Sequence, residues 1–345
     1  MKLSAHTNIP DSFHGISAFK LISEELDLVR ELITEQLTVH IPASSEHKKA
    51  LKEIDQLLES LRSRYGKMLR PGLVLLAGKC CGPITNEHIQ VAASIEMIHN
   101  ATLLHDDVID DGKRRRGQPS INSLWGNESA VLLGDFLLSR VFRICAELET
   151  KVAKIIAEAA VRLCEGELRQ IAQKQNWQLI ESEYIDVITE KSAVLFSSCC
   201  HLGGLLSGAD KSQNKKLSDF GLNAGIAFQI TDDLLDIIGD EKRTGKTLGS
   251  DVNKCKLTLA VIHLLETVDN VKRDELINKY LEAGNCLPDM GAFAKILEES
   301  GSLEYARSRA QEYVDKAIKS LEGLKEGEAK KALIETAKFM ANRAV

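Results

Sequence analysis

Only six of the chain's 345 residues are proline, and none falls between Pro119 and Pro288. At an average usage of about 5%, a stretch of that length would carry roughly eight. Proline removes a backbone donor and clashes with the preceding helical turn, so its absence leaves helices free to run long. The apolar residues keep the matching period. Ile89, Ala92, Ala93, Ile95, Met97, Ile98, Ala101, Leu104 and Val108 recur at mixed spacings of three and four, the pattern of a helix buried over most of its surface. The same period runs from Val152 to Ile171. No alternating β-branched run lies between turn dipeptides, so no strand is expected. The expected fold is all-α.

Breaks are expected at Gly82-Pro83, from Gly112 to Pro119, near Gly203/Gly204, and across the polar segment Gly239 to Asp251. None resembles a flexible linker. The stretch from Leu303 to Ala344, rich in Ala, Glu and Lys with apolar residues at helical spacing, reads as helices closing a bundle. Residues 1–345 therefore read as a single domain, with residues 1–20 as a loose N-terminal segment.

Composition narrows the function. A hydrophobic fraction of 44% is enough for a large core. A formal net charge of -6 argues against a nucleic-acid partner, which would need a basic face. The eight cysteines include the adjacent pairs Cys80/Cys81 and Cys199/Cys200 in apolar surroundings, without zinc-type CxxC spacing, and read as reduced core residues. Met1 to Pro10 lacks the apolar centre of a signal peptide, and Asp11 with few arginines argues against a transit peptide, so a cytoplasmic location is expected. No apolar run approaches the roughly 20 residues needed to span a bilayer.

One motif occurs twice, as Asp106-Asp107-Val108-Ile109-Asp110 and as Asp232-Asp233-Leu234-Leu235-Asp236. Residues four apart on a helix are neighbours, so Asp106 pairs with Asp110 and Asp232 with Asp236. Like charges at that spacing repel, and both pairs sit among leucine, isoleucine and valine, where an uncompensated charge is costly. A divalent cation removes the conflict. Carboxylates are hard ligands suited to Mg²⁺, which takes few protein carboxylates and completes its shell with water and substrate phosphate. One such motif alone reads more readily as a solvated acidic patch than as a metal site. Basic residues beside both motifs sharpen the reading: Lys113, Arg114, Arg115 and Arg116 come after the first, Arg243 and Lys246 after the second. Acid then base is the pattern of a metal-bridged phosphate site.

With these motifs in view, nearly the whole chain resembles the trans-isoprenyl diphosphate synthases, or polyprenyl synthetases, most of all their long-chain members of octaprenyl and solanesyl type. The resemblance is carried in order by Gly66-Lys67-Met68-Leu69-Arg70-Pro71, the segment Leu103 to Asp110, Arg115-Arg116-Gly117, Gly134-Asp135, Glu165-Gly166-Glu167, Lys191-Ser192, Phe228-Gln229 and Asp232 to Asp236. It implies a helical bundle around a deep central cavity, usually as a homodimer, with Mg²⁺ as cofactor. Isopentenyl diphosphate and allylic prenyl diphosphates are the implied substrates, and product release implies transient membrane contact. Carried over by position, Asp106, Asp110 and Asp232 ligate magnesium, and Asp233 and Asp236 supply or support the second metal face. Arg115, Lys191 and Lys246 hold the allylic diphosphate, with Ser192, Gln229 and Lys256 contributing on that side. Lys67, Arg70, His99 and Arg116 form the isopentenyl diphosphate pocket. The departures are Ser192 for the usual Thr, Asn100 for Thr or Ser, and Cys255-Lys256-Leu257 for Gly-Lys-Pro; Cys255 replaces a glycine and so bears on the path of the Lys256 loop.

The resemblance implies head-to-tail condensation. Ala101 lies five residues before Asp106, about 7.5 Å along a helix, where short-chain members commonly carry an aromatic floor. A methyl group there points to a long all-trans product, with a short farnesyl or geranylgeranyl product as the alternative. Gly245-Lys246-Thr247 imitates a nucleotide-binding loop, but the earlier glycine, Gly239, is one residue too far. A terpene cyclase would not need the second diphosphate pocket, and a non-catalytic subunit would be expected to have lost an aspartate motif.

Overall fold

A computed structural model of the chain describes residues 17–39, 48–63, 66–238, 256–281 and 290–341. A 3₁₀ turn, Ser17–Ile22, buries Ala18 and Ile22 and leads into α1 (Ser23–Gln36) and α2 (Lys48–Arg62). The core helices come next: α3 (Leu69–Cys81), α4 (Asn86–Ile109), α5 (Ile121–Cys145), α6 (Thr150–Ala172) and α7 (Glu181–Ile188). A π turn, Thr189–Ala193, joins α7 to α8 (Val194–Leu206), which precedes α9 (Lys211–Ile238). The bundle closes with α10 (Leu259–Thr267), α11 (Asn270–Leu276), α12 (Met290–Glu299), α13 (Ser302–Ser320) and α14 (Glu328–Ala341). The chain is all-α, as its proline-poor sequence predicts.

Residues of α4 are buried on most of its faces, with α5 and α3 packed alongside; α8 lies against α3 and α9, and α13 covers α9. The start of α4 is fixed by a capping box. The Thr85 amide donates to His88 Nδ1 (3.0 Å), which leaves Nε2–H to donate to the Gly203 carbonyl (3.1 Å). Burial lowers the His88 pKa, keeping the ring neutral for this role. His88 is a satisfied core histidine that ties α4 to α8.

The structure corrects two expectations. Gly203 and Gly204 lie inside α8 rather than at its end. A Cβ on Gly203 would stand 2.1 Å from the Val74 carbonyl oxygen, so glycine here lets α8 approach α3, and the chain turns only after Leu206. The segment after the first acidic motif contains two short strands, Arg114–Arg115 and Gln118–Pro119, paired antiparallel with Arg115 opposite Gln118. Arg116 (φ 52°) and Gly117 (φ 78°) form the turn, both left-handed as a type I′ hairpin requires. Two residues per strand give no alternation to read in advance.

The four paired cysteines are free thiols; Cys199 and Cys200 are buried, Cys80 and Cys81 half-buried. Burial pushes the Cys80 and Cys199 thiols up to about 12, so they stay protonated and unreactive. No helix among the described residues is long and apolar enough to cross a membrane.

Candidate active site

The last turn of α4 carries the first acidic face. Asp107, the middle aspartate, is 4% exposed and is pinned by Arg115: Nη2 donates at 2.6 Å, and Nε at 2.8 and 3.0 Å. Its backbone carbonyl accepts from Asn122 Nδ2 (3.0 Å) and the Gly112 amide (2.8 Å). The hairpin is thereby clamped onto the helix end. Asp106 is half-buried, and burial pushes its carboxyl up to about 6, against the opposing pull of Lys191; Glu167 raises it further, Arg115 lowers it and Asp110 raises it. Asp110, which caps α4, accepts from Lys256 Nζ at 3.1 and 3.3 Å. Lys256 is itself only 9% exposed and reaches Asp110 from just before α10. Such a carboxylate pair, costly to ionise and already drawing an ammonium, suits a cation.

The second face lies near the end of α9. Asp236 is buried, and Asp232 and Asp233 are half-buried. Asp233 again is the held one: Gln229 Nε2 donates to Oδ1 (2.8 Å) and the Tyr184 hydroxyl to Oδ2 (2.6 Å). Gln229 Oε1 in turn accepts from the Ser192 hydroxyl (2.7 Å).

Lys191, whose charge acts on Asp106, stands next to Ser192 on the π turn, a wide-turn feature found often at functional sites. Its Nζ lies 2.7 Å from Glu167 Oε2 and donates to Gln170 Oε1 at 2.7 Å, both on α6. Gly166 permits this approach, since a Cβ there would stand 2.4 Å from the Lys191 backbone nitrogen. Arg162 grips Glu190 through two bonds of 2.7 and 2.8 Å and holds the same turn from α6.

The second cationic group gathers beside the first face. Arg70 is half-buried; desolvation lowers its pKa and Glu96 raises it, and the charges of Arg116 and Asp232 also act on it. Its guanidinium stacks 4.5 Å above the Phe196 ring, a cation–π contact. Gly66 faces the Arg116 guanidinium so closely that a Cβ would meet Nη2 at 2.5 Å. Lys67 Nζ lies 5.0 Å over Phe339 of α14, drawing the C-terminal helix into the pocket wall. His99 is half-buried, one helical turn beyond Glu96. Lys246 lies outside the described residues. Ala101 is fully buried on α4.

Four residues with evident roles escape a reading of the motifs alone. Glu167 and Gln170 engage Lys191, Tyr184 engages Asp233, and Glu96 is 2% exposed between Arg70 and Arg116, its carboxyl pKa raised by burial and lowered by both arginines. The ordered Glu165-Gly166-Glu167 segment was the one local signal. Among the described residues no three His, Cys, Asp or Glu side chains form a metal cage. Two-carboxylate faces completed by phosphate oxygens nevertheless fit the habit of Mg²⁺.

Comparison with known proteins bears directly on this arrangement. The polyprenyl synthetase family model matches residues 51–297. Octaprenyl diphosphate synthase of Escherichia coli is 37% identical over 291 residues, covering 84% of this chain and 90% of that protein. A short chain isoprenyl diphosphate synthase of Methanothermobacter thermautotrophicus is 34% identical over 290 residues, covering 83% and 89%. Among solved structures, a polyprenyl synthase from Caulobacter crescentus, complexed with calcium and isoprenyl diphosphate, superposes with a TM-score of 0.87 at 30% identity, covering 95% of this chain and 97% of that one.

Proposed function

The chain belongs to the polyprenyl synthetase family, and from that premise we propose a Mg²⁺-dependent trans-prenyltransferase that adds isopentenyl diphosphate head-to-tail to an allylic diphosphate, giving a long all-trans polyprenyl diphosphate. One observation carries the reading: there are two acidic faces, each with its middle carboxylate tied down, with a half-buried lysine acting on the first and a separate group of arginines beside it.

Asp106, Asp110, Asp232 and Asp236 would hold the metal ions. When bound, divalent cations supply positive charge against the allylic diphosphate as it leaves. The chain's own cations act on the same oxygens. Lys191 is aimed by Glu167 and Gln170, Lys256 waits on Asp110, and Arg115 keeps its Nη1 for substrate while Nε and Nη2 hold Asp107. Fixed charges placed where negative charge develops stabilise ionisation of the carbon–oxygen bond without reorganising. Lys67, Arg70, His99 and Arg116 hold isopentenyl diphosphate so that its double bond meets the allylic cation. Among the described residues no side chain presents itself as a general base, and the released diphosphate takes the proton.

Long and short products are both represented among the relatives, so length rests on Ala101. Incubating purified protein with isopentenyl diphosphate, allylic primers of several lengths and Mg²⁺, then sizing the products, tests the reading; products beyond four isoprene units are expected. Ala101→Tyr should shorten them, and an unchanged distribution contradicts the assignment.

The same reading includes a homodimer. Leu124, Leu132 and Phe142 on α5 and Val161 and Leu168 on α6 are 51–70% exposed, apolar side chains that a second copy would cover. Sedimentation should give a dimer, and Phe142→Arg should weaken it.

A further inference from the structure

Helix α7, the π turn and α8 run on from one another without a break, and this run lies along α9. It grips α9 at two places. At one, the Ser192 hydroxyl donates to Gln229 Oε1 (2.7 Å), and the same amide donates through Nε2 to Asp233 Oδ1 (2.8 Å). At the other, the Tyr184 hydroxyl donates to Asp233 Oδ2 at 2.6 Å, the short distance typical of a hydroxyl on a carboxylate. All donors point one way, toward Asp233, so the chain of bonds is consistent with a carboxylate accepting on both oxygens. Tyr184 is 4% exposed, with its ring in the core and its hydroxyl on this bond.

Asp233 sits directly after Asp232 and three residues before Asp236 on the same helix. A side chain fixed at both oxygens resists rotation of that helical end about its axis. Tyr184 also lies seven residues before Lys191 on the gripping run, so the element that aims the cation is the one that holds the acidic face. Neighbours that orient metal ligands commonly matter nearly as much as the ligands.

We propose that Tyr184 is a positioning residue of the second acidic face: its hydroxyl, together with Gln229, holds Asp233 so that Asp232 and Asp236 present a fixed geometry to a divalent cation. This rests on the function proposed above. Gln229 then serves as the relay between Ser192 and Asp233.

The test is calorimetric titration of the full-length, metal-free protein with Mg²⁺ in the presence of inorganic pyrophosphate. Tyr184→Phe keeps the buried ring and removes only the hydroxyl. It should weaken Mg²⁺ affinity about 10-fold or more, leave the KM for isopentenyl diphosphate unchanged, and leave the helical circular dichroism signal intact. Gln229→Leu, which breaks the other arm, should weaken the same affinity. In an Asp233→Asn background the Tyr184→Phe change should add little, because coupled sites are not additive. Wild-type affinity in Tyr184→Phe, or an undiminished loss in the Asp233→Asn background, overturns the proposal. If the wild-type protein itself fails to bind Mg²⁺ with pyrophosphate, the underlying functional reading falls instead.

Discussion

At the end of α4 the middle aspartate, Asp107, is 4% exposed and takes three contacts from one arginine. On α9 the middle aspartate, Asp233, is half-buried and accepts from a phenol on one oxygen and an amide on the other. The two motifs are near copies in sequence, but their supports differ in kind. Arg115 reaches Asp107 from a hairpin whose turn needs a left-handed arginine, Arg116. Such a conformation costs of order 1–3 kcal/mol and persists only where its surroundings hold it. Tyr184 belongs to the short helix α7 and Gln229 to the long helix α9, both packed in the bundle. Damage to the first support should therefore appear as lost stability, and damage to the second as lost geometry.

The largest expected effect tests whether the faces act together. Asp106→Asn and Asp232→Asn should each lower kcat by about 10²–10³-fold or more, the scale of losing one preorganised electrostatic contact in a transition state. Steady-state kinetics at saturating Mg²⁺ would show it, and near-normal turnover in either variant breaks the pairing of the faces.

The next effect separates the supports. Arg115→Leu strands a buried carboxylate and should cost about 3–5 kcal/mol of stability, whereas Gln229→Leu removes a neutral hydrogen bond and should cost about 1–2 kcal/mol. Chemical denaturation of both variants measures the contrast, and equal costs would erase it.

A smaller effect concerns the pocket beside the first face. Burial raises the Glu96 carboxyl above its ordinary value of 4.5, with Arg70 and Arg116 pulling the other way. The folded protein then keeps a proton that the unfolded chain has already released, so this group's contribution to stability is full below about pH 4.5 and is lost as pH rises above it. Glu96→Gln should flatten that fall, and an unchanged slope in stability against pH would show that Glu96 does not carry it.

Much of the fold was legible because its signal is local. Helical period announces α4, α6 and the closing helices, with proline absence adding to it for α6, and the residues of the two aspartate pairs are four apart on one strip of chain. The supports were not legible. Tyr184 and Asp233 are 49 residues apart, and Lys256 and Asp110 are 146 apart, pairings that only packing creates. Gly203 looked like a break because a glycine that admits a neighbouring backbone and a glycine that ends a helix are the same letter. The hairpin lay in a segment read as a break and as a run of cations, too short for its strands to alternate. The π turn under Lys191 has no sequence pattern of its own, and it sets the height at which the lysine meets Glu167 and Gln170.

The central claim is that both faces hold divalent metal against one allylic diphosphate. The most direct test is a calorimetric Mg²⁺ titration with a non-ionising allylic thiolodiphosphate bound, comparing wild type with Asp106→Asn and Asp232→Asn. Tight Mg²⁺ binding in the wild type, weakened in both variants, is the predicted result; binding left intact by either substitution would contradict it.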